Sequence, residues 1–165
     1  MPDNNRSLSI TWDDPHAAFA ASKGLSGIEY MHKMIAGAIA APPIMKLLDY
    51  RLARVAPGEA VFECEPGERH YNPIGVVHGG LAMTLLDSAM GCAVHTTLPV
   101  GTGYTTLEVK VNLVRAITGA SGLMRCIGKV VYAGKRIATA EARLEDASGK
   151  LYAHGTSTCM ILNGS

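Results

Sequence analysis

The chain has 165 residues, 48% hydrophobic and 18% charged, with one Trp and two Phe. That length closes one substantial core, and the composition is that of an ordinary soluble domain with an aliphatic interior. Fifteen basic against fourteen acidic residues leave a net charge of +1, a balance that argues against a dedicated nucleic-acid surface or a polybasic membrane patch.

Along the chain, residues 1–11 read as frayed and show no basic region followed by an apolar core, so no secretory leader is expected there. No apolar run approaches membrane-spanning length. Asp13-Asp14-Pro15 is a helix start, with an acid at the cap and proline in the first turn. Helices are expected over Pro15 to Ser22 and roughly Gly27 to Ala40, where Ile28, Met31, Ile35 and Ile39 recur at helical spacing. Residues 1–42 thus form an N-terminal helical extension too small for its own core, and 43–165 the main domain. "LDYRLARV" and "AVFECEP" flank Pro57-Gly58-Glu59 as a hairpin. A helix follows from about Gly79 to His95, apolar nearly all round and therefore a core helix. From residue 103 onward the pattern is strand. In "TLEVKVNLVR", Leu107, Val109, Val111 and Leu113 alternate with Glu108, Lys110 and Asn112. Three more strand segments separated by Gly-containing turns complete an antiparallel meander, which suggests an α+β fold with a sheet curled around one helix. Cys64, Cys92, Cys126 and Cys159 form no CxxC pair and read as small buried hydrophobes in a reduced cytoplasm.

The chemistry concentrates in "HYNPIGVVHGGLAMTLLDSAMG", residues 70–91. His78-Gly79-Gly80 opens the apolar helix, where unpaired amides and the positive end of the dipole suit an oxygen that becomes negative in a transition state. On the glycines alone, a tight strand-to-helix turn explains the sequence as well or better. Asp87 changes the balance, because an acid in so apolar a helix costs free energy unless it is paired, solvated or used. Ionised, it can serve as general base or as nucleophile on an acyl carbon, and an isolated Asp of this kind divides evenly between structural and functional roles. Gly79 and Asp87 are eight residues apart, about 12 Å along one helix. Both must stand about 3 Å from the reacting group. Two copies of the helix running antiparallel across a two-fold axis satisfy this, so a functional site here implies a dimer.

Asn72, His78-Gly79-Gly80, Thr84-Leu85-Leu86-Asp87 and "YTTLEVKVNLVRA" together resemble the hotdog-fold acyl-CoA thioesterases, in particular their phenylacetate-pathway (PaaI-like) branch, related to 4-hydroxybenzoyl-CoA thioesterase. The likeness spans about Pro43 to Leu162. It implies a hotdog fold, an antiparallel sheet wrapped around a long central helix. It also implies hydrolysis of an acyl- or aryl-acyl-CoA at sites shared between subunits, and a homo-oligomer extended to a dimer of dimers. Under this resemblance Asp87 is the nucleophile or general base, Gly79 the carbonyl-polarising donor, Asn72 a residue positioning the carbonyl or water, and His78 its support. Thr106 is the hydroxyl near the acid, with Thr105 and Gly80 in substrate contact. Where the 4-hydroxybenzoyl-CoA branch has Glu and, one turn on, Thr, this chain has Asp87 and Gly91, so substrate identity does not carry over.

Coenzyme A enters only as part of the substrate, and no other cofactor is implied. His70, His78 and Asp87 lack metal-ligand spacing, and no GxSxG elbow or dinucleotide fingerprint is present. Lys110, Arg115, Lys129, Lys135 and Arg136 are candidates for coenzyme A phosphates but read first as solvated edges. Met31, Met34 and Met45 read as gap-fillers before acyl-pocket residues. Two rival functions are an enoyl-thioester hydratase or dehydratase and a non-catalytic acyl-CoA-binding protein on the same fold.

Overall fold

The computed structural model describes residues 5–163, so the first four residues of the frayed stretch lie outside the described residues. The elements are α1 (Pro15–Ala21), α2 (Gly27–Ile35), α3 (Pro43–Leu47), β1 (Tyr50–Ala56), β2 (Glu59–Cys64), α4 (Gly79–His95), β3 (Thr102–Leu113), β4 (Met124–Ala133), β5 (Ile137–Asp146) and β6 (Leu151–Asn163). Asp14 caps α1 as its sequence foretells, accepting the His16 amide at 2.8 Å. The second helix is shorter than its apolar spacing suggests. It stops at Ile35 because Gly37 turns left-handed at φ 73°. Ile35 is therefore exposed while Ile39 is buried from the following loop, and the short α3 was not anticipated.

The six strands form one antiparallel sheet in the order β1-β2-β4-β5-β6-β3. β4, β5 and β6 run as the expected meander, but β3 pairs with β6 at the far edge, and β2 takes the place beside β4. The chain from Val114 to Leu123 is long enough to cross, and its start is turned by the Val114 and Arg115 amides, both donating to the Tyr152 carbonyl.

α4 lies in the concave face of this sheet. Leu85, Leu86, Ala89, Met90, Ala93 and Val94 are all at most 1% exposed, each large side chain contributing about 1.5–3 kcal/mol by burial. The inward residues of β5, Ala138, Ala140, Ala142 and Leu144, are mostly small, which lets the sheet close tightly on the helix. β4 comes closest: a Cβ on Gly128 would lie 2.2 Å from the Ala89 carbonyl oxygen. At its far end α4 holds the β1–β2 hairpin, since the Gly58 amide donates to Thr96 Oγ1 (2.8 Å) and that hydroxyl donates to the Ala93 carbonyl (2.6 Å).

β3 departs from strict alternation. Thr106 pairs with Cys159 and Glu108 with Thr158, leaving Leu107 as an extra, bulged residue. The bulge reverses the alternation: Tyr104 and Thr106 face α4 before it, whereas Val109 and Val111 pack on the core after it. Leu107, expected with the valines, is instead 51% exposed.

Candidate active site

The first cluster forms at the start of α4. A bridge between Tyr71 and Val77 closes the preceding loop. Inside it, Asn72 Oδ1 accepts the amides of Ile74 (3.0 Å) and Val76 (3.3 Å), which commits that oxygen to the loop and leaves the side-chain NH2 without a protein acceptor among the described residues. His78 is the N-cap, and its Nδ1 accepts the Gly80 amide at 2.8 Å. The Leu81 amide donates to the His78 carbonyl at 3.0 Å. Among the described residues this leaves the Gly79 amide as the donor of the first turn without an acceptor. Asn72, His78 and Gly79 line one cleft of about 310 Å³ together with Leu113 and Arg115. Leu113 presses on the helix start, so that a Cβ at Gly79 would meet its Cδ1 at 2.6 Å. Arg115 is anchored there, its Nε donating to the Leu151 carbonyl (3.3 Å) and its guanidinium 5.8 Å from the Tyr152 ring centre.

The second cluster sits two turns along the helix. Asp87 is half-buried, and Thr106 Oγ1 donates to its Oδ1 at 3.0 Å, leaving Oδ2 without a protein donor among the described residues. The β3 bulge is what turns Thr106 toward this carboxylate. Beside it, the hydroxyls of Tyr50 and Ser88 are 3.2 Å apart. Cys92 is no rival nucleophile, because burial pushes its thiol up to about 12. Burial likewise raises the Tyr50 and Tyr104 phenols, which stay protonated.

The structure thus joins Asn72, His78 and Gly79 at one place, and Asp87 and Thr106 at another. Gly80 lines neither, because its amide is spent on His78. Thr105 is exposed and alternates away from Thr106, so it is not brought to Asp87. His70 has a structural place: it is buried, its Nδ1 accepts the Gly67 amide (3.0 Å), and its Nε2 lies 3.1 Å from the Leu48 carbonyl. Met31 and Met45 fill the core, with Met34 packed against it. Tyr50 and Tyr104 carry no functional signal in the sequence, and Leu113 reads there only as one of the alternating apolar residues of its strand. Their residue types are ordinary strand formers, and only their seats against Asp87 and Gly79 distinguish them.

Residues 74–153 match the family described as the thioesterase superfamily. Human acyl-coenzyme A thioesterase 13 is 33% identical over 65% of this chain and 76% of its own length. The chain belongs to the thioesterase superfamily. Among solved structures, a mutant of the phenylacetic acid degradation protein PaaI from Thermus thermophilus superposes with a TM-score of 0.65 at 29% identity, covering 72% of this chain and 98% of that one. A thioesterase family protein from Silicibacter pomeroyi gives 0.71 at 26% identity, covering 81% and 96%. This thioesterase therefore has the hotdog fold and is a thioester hydrolase. Among the described residues, no helix is long and apolar enough to cross a membrane.

Proposed function

We propose that this thioesterase hydrolyses acyl-coenzyme A to the free acid and coenzyme A, at sites each completed by two copies of the chain. One observation carries this: the unpaired Gly79 amide and Asp87, which Thr106 bonds from β3, belong to the same helix but stand about 12 Å apart along it, too far to reach one carbonyl. β3 offers the means of joining two copies. It is an edge strand, and its centre falls at the bulge, where Leu107 is exposed. Two β3 strands paired antiparallel about that centre bring the Leu113 end of one, with Gly79 beside it, against the Thr102–Thr106 end of the other, with Asp87 beside it. Such pairing also covers an edge that would otherwise present unpaired backbone groups.

In this site the thioester carbonyl accepts from the Gly79 amide and the Asn72 side chain of one copy. Asp87 of the other copy acts through Oδ2, drawing a proton from water or attacking the acyl carbon itself. In either route the C–S bond breaks, the sulfur leaves as coenzyme A thiol, and water supplies the oxygen of the acid. Arg115 lines the Gly79 cleft and is the basic group there to meet the phosphates of coenzyme A. Four unpaired cysteines fit a reducing cytoplasm.

Release of free thiol from a panel of aliphatic and aryl-acyl-CoAs tests the substrate, and sedimentation velocity tests the assembly as dimer or dimer of dimers. No turnover across the panel refutes the acyl-CoA assignment. A monomer with full activity refutes the shared site.

A further inference from the structure

We infer that Tyr104 is a specificity-determining residue: its ring closes the acyl side of the site one helical turn beyond Asp87 and restricts turnover to short acyl groups. This rests on the acyl-CoA assignment above and names the substrate class of that same site.

In the two-copy site the coenzyme lies toward Gly79 and Arg115 of one copy. The acyl group therefore points the other way, past Asp87 and into the seam between α4 and β3 of the second copy. Along that seam α4 presents Asp87, Gly91 and His95 at intervals of four, so the three lie along one face. β3 meets this face with Thr106, which bonds Asp87 at 3.0 Å, and with Tyr104, which stands at Gly91. A Cβ on Gly91 would lie 2.7 Å from the phenol oxygen, 2.9 Å from Cε2 and 3.2 Å from Cζ, so the helix gives up its own side chain at the level where the ring enters. Burial first, then the Cys92 and Cys159 thiols and the Asp87 carboxylate, raise the Tyr104 phenol well above its ordinary value, which sets it within electrostatic reach of Asp87.

Behind the ring lies a cavity of about 590 Å³, enclosed by the N-terminal helices and the end of α4, with Phe19, Tyr30, Pro42, His95 and Val100 in its wall beside Tyr104 itself. Among the described residues, Asp87, Gly91 and Thr106 take no part in that wall. Tyr104 is thus the partition between the carboxylate and this space. The partition is held from both sides. Gly91 and its helix backbone stand against the phenol end, and the His95 ring backs it at 5.4 Å, within the contact range of aromatic rings. His95 is in turn seated 5.7 Å from the Tyr30 ring on α2. From Asp87 to Gly91 the seam advances about 6 Å along the helix. An extended alkyl chain with C–C bonds of about 1.5 Å gains roughly 1.25 Å per carbon, so about five carbons fill the seam before the ring is met.

The test compares kcat/KM for straight-chain acyl-CoAs from acetyl to hexadecanoyl in the wild type, Tyr104→Ala, Tyr104→Leu and Tyr104→Phe. In the wild type kcat/KM should fall at least about tenfold from butyryl to decanoyl, because the longer chain meets the ring before its carbonyl reaches Asp87, and a misplacement of about 1 Å already costs about a hundredfold. Tyr104→Ala removes the partition and joins the seam to the cavity. Its decanoyl-to-butyryl ratio should rise about tenfold or more, the gain from burying about two further methylenes. Tyr104→Leu should move the ratio the same way and takes the place of Tyr104→Ala if melting temperatures show that variant unfolded. Tyr104→Phe keeps the ring and should keep the ratio. A purely structural role would lower every chain length alike and leave the ratio where it was. Hexadecanoyl-CoA hydrolysed by the wild type as fast as butyryl-CoA overturns the inference and leaves the acyl-CoA assignment standing. An unchanged ratio in the folded ring-deleting variant does the same, as does a ratio shifted equally far by Tyr104→Phe. No turnover of any acyl-CoA overturns the assignment and the inference together.

Discussion

If each site combines Gly79 of one copy with Asp87 of another, two inactive variants should restore activity when they share a dimer. The chosen pair is Asp87→Asn and Gly79→Pro. Gly79 is the first residue of α4, where proline's missing N–H and fixed φ suit a helix. His78 before it already has the extended ψ of 133° that proline requires of its neighbour. The ring's Cβ would displace Leu113 Cδ1, the end of a flexible side chain that is 49% exposed and free to rotate. Gly79→Pro therefore deletes one donor while the helix persists, and should lower kcat about 10²- to 10³-fold. Asp87→Asn removes the base or nucleophile and should cost about 10²- to 10⁴-fold. Co-expressed in equal amounts, half of the dimers are mixed, and each mixed dimer has one site with both halves intact. The pool should then recover about a quarter of wild-type activity. The assay is thiol release on dimers purified through two different tags. Mixed dimers no more active than the mean of the two parents would refute the shared site.

Three further outcomes follow from single contacts. Thr106→Val removes the one hydrogen bond that the Asp87 carboxylate accepts among the described residues and should lower kcat about 10- to 100-fold, with KM little changed, as read from steady-state kinetics. Gly128→Ala drives a methyl into the Ala89 backbone, which cannot yield as a side-chain end would. It should cost about 3 kcal/mol or more, seen as a melting temperature lower by about 6–12 °C. His70 is held neutral by burial and by the positive charge of Arg69 beside it, so its folded value lies below 6.5. Between that value and 6.5 the unfolded chain binds more protons, so stability is complete above pH 6.5 and is lost as pH falls toward the folded value. Urea midpoints at falling pH should decline less steeply in His70→Gln, and an unchanged slope would contradict the role given to this side chain. His95 titrates in the same direction and accounts for part of what remains.

How far the sequence carried depends on the range of the interaction. The cap at Asp14, the turn at Gly58 and the whole of α4 were legible because capping, left-handed turns and all-round apolarity are properties of a few adjacent residues. The overlong second helix shows the reverse: apolar spacing continued past Gly37, and one backbone angle ended the helix. Asp87 stood out as a misplaced charge and Gly79 as a permissive helix start. The choice between Thr105 and Thr106 needed the pairing of β3 with β6, since a bulge at Leu107 decides which hydroxyl faces the carboxylate.

By itself, then, the sequence determined the core helix, the strand content, the reactive residue types and the helical distance that keeps Gly79 and Asp87 apart. These follow from local periodicity and from the fixed rise of a helix. The tertiary structure alone decided that β3 sits at the edge beside β6, that the Gly80 amide is consumed by His78 while that of Gly79 is left over, and that the N-terminal helices enclose a cavity at the end of α4. Each of these depends on which distant segments meet, and the pattern of apolar residues along a single strand or helix does not encode its neighbour.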